Sequence, residues 1–109
     1  MSIPFSDVEL RWRSLPAGLH YPSTPAFALV GFREGDGPAG AFSVYVKREL
    51  VVNEAHVPQM AKLYALVSEM RGRLPEIGSR FYLTTGTTIV ADCVTLNRGE
   101  EDSQGHHKA

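Results

Sequence analysis

The sequence predicts an all-β domain, and three observations carry that prediction. Asp7-Val-Glu-Leu-Arg-Trp-Arg-Ser-Leu15 alternates, with Val8, Leu10 and Trp12 on one face and Glu9, Arg11 and Arg13 on the other. Ala41-Phe-Ser-Val-Tyr-Val-Lys47 alternates in the same way, grouping Phe42, Val44 and Val46. Successive strand side chains point to opposite faces, so a period of two marks a half-buried strand. The third observation is the run from Phe81 to Leu96, rich in threonine and β-branched residues and split by Gly86. Such residues suit a pleated surface, and a glycine between them signals a hairpin turn.

A chain of 109 residues fits one domain. At this length roughly 65% of the unfolded chain's surface is buried on folding, enough for a core without staples. No apolar run is long enough to span a bilayer as a helix, so no membrane is expected. Met1-Ser-Ile-Pro-Phe5 lacks a basic start and an apolar signal core, and Cys93 is the only cysteine. Both point to the cytoplasm. The net charge is −1, and the basic residues fall in small separated groups: Arg11 and Arg13, Lys47 and Arg48, Arg71 and Arg73. A general nucleic-acid binder carries a basic excess, which is missing here.

The first strand is expected over 7–15. Pro16 to Pro25 carries three prolines in ten residues and reads as an ordered loop, because proline lacks a ladder donor. Ala26-Phe-Ala-Leu-Val-Gly-Phe32 is a short apolar strand, and Asp36-Gly37 a turn leading into the strand over 41–47. Residues 57–74 are ambiguous. As a helix, Met60, Leu63, Tyr64, Val67 and Met70 line one face. As a strand, Ala61, Leu63, Ala65 and Val67 alternate with Lys62, Tyr64 and Ser68. In isolation the composition favours helix, yet Val57 is a poor cap ahead of Pro58. A final hairpin turns at Thr85-Gly86, and the polar run 97–109 is expected to be a disordered tail beyond a domain of 7–96.

Gly78-Ser-Arg-Phe-Tyr-Leu-Thr-Thr-Gly-Thr-Thr-Ile-Val-Ala91 is similar to the closing hairpin of the C-terminal β-barrel (domain III) of elongation factor Tu. Upstream, Val57-Pro58, Ala61 to Ser68 and Leu74-Pro-Glu-Ile-Gly78 resemble that barrel's turn, its next strand and the acidic approach to the hairpin. Asp7 to Leu15 resembles its opening strand, and Pro25-Ala-Phe27 its Pro-x-Phe. The likeness spans most of residues 7–96 and is strongest over the last twenty. It implies a six-stranded antiparallel Greek-key barrel and assigns the ambiguous stretch to strand. The alternative is an α+β domain with a helix at about 57–72. Where the family carries basic turn residues this chain has Thr84, Thr85, Thr87 and Thr88, and Thr24 replaces an arginine before the Pro-x-Phe. Both departures weaken any inference of tRNA binding from the resemblance. The phosphate-cradling Gly-x-x-x-x-Gly-Lys-Ser/Thr is absent from the sequence, so neither nucleotide binding nor GTP hydrolysis is expected.

Candidate chemistry is sparse. Cys93 sits beside Asp92, whose charge opposes thiolate formation, and reads as a small core residue. Glu54-x-His56 supplies two potential ligands, short of a metal site. His106 and His107 lie in the tail. Tyr45, Tyr64 and Tyr82 fall opposite the apolar sets of their strands, near Lys47, Lys62 and Arg80. An outward aromatic patch suggests an interface. The expectation is a non-enzymatic binding module offering these six residues to a protein or RNA partner, without cofactor or metal. One alternative is a ligand-binding or hydrolytic barrel using a loop histidine, His20 or His56. Another is a self-associating structural protein.

Overall fold

The computed structural model describes residues 2–102. Six strands follow one another: β1 (Ser2–Trp12), β2 (Ala26–Arg33), β3 (Phe42–Arg48), β4 (Gln59–Ala65), β5 (Arg80–Thr85) and β6 (Thr88–Asp102). Every ladder is antiparallel, and the order β1-β4-β3-β2-β5-β6 closes into a barrel through β6 and β1. The strands β2, β3 and β4 are successive neighbours, and β1 lies beside β4, which is a Greek key. Closure pairs each strand on both sides within the wall. Among the described residues no helix is long and apolar enough to cross a membrane.

The ambiguous segment is strand. Leu63 pairs with Ser6 on one side and Val46 on the other. No α-helix forms at 57–72; a 3₁₀ helix, Ser68–Arg73, follows the strand. A helix would have buried Met60 and Val67, which stay 47% exposed, whereas the wall buries Ala61 and Leu63 completely or nearly so. Tertiary pairing on both sides outweighs the intrinsic helical preference.

The alternating sets meet as read. Val8, Leu10 and Trp12 face Val44, Val46, Leu63, Phe81 and Leu83 in one core. Gly31 permits close packing there, since a β-carbon at that position would stand 2.3 Å from the Phe81 ring. At the final hairpin Gly86 alone takes a positive φ, 61°, at the first of two loop positions, where a type II′ turn favours glycine. The strand β6 carries two register shifts, opposite Leu83/Thr84 and Asp7/Val8. Bulges of this kind sharpen twist and help a small barrel close.

The two barrel ends are sealed differently. At one, the Arg48 guanidinium is buried, donating to the carbonyls of Pro22 (3.0 Å) and Thr24 (2.6 Å) and to Asn53 Oδ1 (2.8 Å). It lies over the Phe27 and Trp12 rings, 5.0 and 5.8 Å from their centres. Burial pushes its pKa down from the ordinary arginine value. This one side chain ties the proline-rich loop to the β3–β4 connection. At the other end Leu74 is buried, and Ser6 Oγ donates to the Pro75 carbonyl at 2.9 Å.

The ladder outruns the sequence-based boundaries of 7 and 96. The strands β1 and β6 pair as far as Ser2 and Asp102, although β4 accompanies β1 only from Ser6 to Leu10. A two-stranded ribbon thus projects beyond the wall. Phe5 seats on Gly99, where an added β-carbon would lie 2.7 Å from Phe5 Cζ. Polar composition alone hid this contact. Residues 103–109, with His106 and His107, lie outside the described residues.

Candidate interaction face

The outer surface of β1, β4 and β3 carries a row of aromatic rings. Tyr45 and Tyr64 are directly paired across β3 and β4, with ring centres 6.2 Å apart. Phe5 continues the row, 5.8 Å from Tyr64. Each strand contributes an outward residue at the same level, so the rings abut. The ammonium of Lys62 stands 4.2 Å from the Phe5 ring centre and that of Lys47 5.9 Å from Tyr64. Such cation–π contacts orient long side chains along the surface.

Of the three tyrosines, only Tyr45 is exposed, at 37%. Tyr64 points outward but is covered, being 7% exposed. Its hydroxyl donates to Glu101 Oε2 at 2.7 Å, a charge-assisted bond reaching into the ribbon. Burial and then this carboxylate push its phenol pKa well above the ordinary value. Beside the row open two shallow depressions. One, of about 470 Å³, is bordered by Asp7, Lys47, Met60, Lys62, Leu96 and Glu101. The other, of about 330 Å³, lies between Ile3, Tyr45, Tyr64, Leu66 and Arg71. Met60, Leu66 and Leu96 are each about half exposed here, giving apolar contact area rimmed by charge.

Tyr82 and Arg80 do not join this face. Both lie on β5, and β2 separates β5 from β3. Tyr82 packs on Phe32, with ring centres 5.5 Å apart. Arg80 borders a separate hollow with Glu9, Arg11, Arg13, Asp92 and Val94. There Arg13 donates twice to Asp92, at 2.9 and 2.7 Å, and this bonding raises the arginine pKa. Arg11 bonds Glu9 at 3.3 Å. The structure therefore joins Tyr45, Tyr64, Lys47 and Lys62 and sets Tyr82 and Arg80 apart. Phe5, Met60 and Glu101 were missed in the sequence, because strand order decides which residues become neighbours.

The loop histidines are exposed. His20 borders a cavity of about 60 Å³ with Trp12, Leu15 and Val90, room for about two waters. His56 has a φ of 68°, and its Nε2 lies 3.4 Å from Ser14 Oγ. Cys93 is fully buried, and burial raises its thiol pKa, as an inert core residue requires. Among the described residues no three His, Cys, Asp or Glu side chains converge as metal ligands. No family model matches the chain, and no curated protein or solved structure gives a match.

Proposed function

We propose that the chain is a non-enzymatic binding module, a translation-factor-like barrel, and that the outer face of β1, β4 and β3 receives a protein partner. The supporting observation is the exposed Tyr45 ring, backed by the covered rings of Tyr64 and Phe5, with Lys47 and Lys62 laid beside it and half-exposed Met60, Leu66 and Leu96 alongside. Aromatic anchors within a charged rim are the usual anatomy of a protein interface. The likeness to the elongation factor Tu barrel rests on the sequence pattern alone.

RNA is the weaker occupant on two grounds. Asp7, Glu49 and Glu101 border the same face and repel phosphates. The Tyr64 ring is covered, so a base cannot stack on it as single-strand binders require.

Photo-cross-linking tests the reading. A benzophenone residue is placed at position 45 and, as a control, at position 80 on the opposite face. Irradiation in an extract of the native cells is expected to give a discrete adduct from position 45 that resists ribonuclease and yields to protease. Equal adducts from both positions, none from position 45, or a ribonuclease-sensitive adduct would contradict it.

A further inference from the structure

Among the described residues, β6 has a backbone-paired neighbour on only one side from Leu96 to Glu101. There β1 accompanies it to its last described residue, Asp102. On the other side the final backbone bonds join Thr95 to Gly78 (2.8 Å) and Ser79 (3.0 Å). Beyond them no backbone hydrogen bond joins residues 96–101 of β6 to a described segment on that side. Residues 96–102 contain no proline, so each retains its backbone N–H. A strand edge of this kind accepts another strand by main-chain hydrogen bonding.

The side chains along this edge are complementary to themselves. The midpoint of 96–102 is Gly99, flanked by Arg98 and Glu100. Both flanking residues are exposed, and neither has an ion-pair partner among the described residues. When a second copy lies antiparallel about a twofold axis through Gly99, Arg98 stands opposite the partner's Glu100. The same axis sets Glu100 opposite the partner's Arg98 and Asn97 opposite the partner's Glu101. Centring the axis on Arg98 or Glu100 instead would oppose like charges directly, which is destabilising. A twofold contact of identical patches is also the commonest form of homodimer.

We propose that the chain pairs with a second copy of itself through the outer edge of β6, antiparallel and centred on Gly99. The edge shares Leu96 and Glu101 with the border of the aromatic face, but the charged pair that fixes the register, Arg98 and Glu100, lies outside that face, so charge reversal there tests the pairing apart from the docking assignment above.

Sedimentation velocity of the full chain at low salt and sub-millimolar concentration tests it. The wild type is expected to form a dimer. Arg98→Glu and Glu100→Arg are each expected to weaken self-association roughly tenfold or more, because each sets like charges opposite one another. An equimolar mixture of the two variants is expected to dimerise again, since opposite charges then meet at both positions. Circular dichroism checks that the barrel remains folded. A monomeric wild type, single variants that dimerise as well as wild type, or a mixture that stays monomeric would overturn the proposal.

Discussion

The two broad outer faces of this barrel start from the same sequence rule and end differently. Over β1, β4 and β3 the outward residues meet as Phe5, Tyr64 and Tyr45, with lysines laid against the rings. Over β1, β6 and β5 they meet as Arg11, Arg13, Asp92, Arg80 and Tyr82. The first face is held by ring contacts and one partly buried charge-assisted hydrogen bond. The second is held by ion pairs open to water. Alternation assigns a residue to the outside, and strand order then decides whether outward residues make a packed row or a solvated one.

That contrast is sharpest under mutation. The largest effect is expected from Gly99→Ala, which drives a methyl into the Phe5 ring and lifts the ribbon from the aromatic row. Overpacking of this kind costs about 2 kcal/mol, measured by urea unfolding. An unchanged midpoint would mean that the ribbon does not hold the face.

Tyr64→Phe removes the bond to Glu101 and is expected to cost about 1.5 kcal/mol. The pH dependence gives a second reading. The Tyr64 pKa is raised in the folded protein, so its contribution is complete below the ordinary value of 10.0 and is lost as pH rises through the folded value. Wild type should therefore lose more stability above about pH 10 than Tyr64→Phe does. Parallel pH curves would contradict the assignment.

On the other face, Asp92→Asn weakens the bidentate contact with Arg13, whose side chains are 30% and 43% exposed. Water screens such a pair, so the expected cost is under about 1 kcal/mol and should shrink in high salt. The smallest stability effect is expected from Tyr45→Ala, about 0.5 kcal/mol. A loss above that of Tyr64→Phe would make Tyr45 a structural residue.

The wall of the barrel was legible because its signals are local. Val8, Leu10 and Trp12 on β1, and Phe42, Val44 and Val46 on β3, all proved buried. Residues 57–72 were not decidable locally, because β4 gains its strand conformation from neighbours on both sides, β1 and β3. The ribbon was missed for a related reason. Nothing in Asn97 to Asp102 is apolar, and only the seat of Phe5 on Gly99, ninety-odd positions apart in the chain, shows why the strand continues. Among the candidate residues, the outward direction of Tyr45, Tyr64 and Tyr82 followed from alternation. Their separation into two groups required knowing that β2 lies between β3 and β5.

The most direct measurement is calorimetric titration of the cross-linked partner, once identified, against purified Tyr45→Ala and Arg80→Ala. Tyr45→Ala should bind about tenfold more weakly or worse, as loss of an interface anchor does, and Arg80→Ala should match wild type. Undiminished binding by Tyr45→Ala, with loss in Arg80→Ala, would move the interface to the opposite side of the barrel.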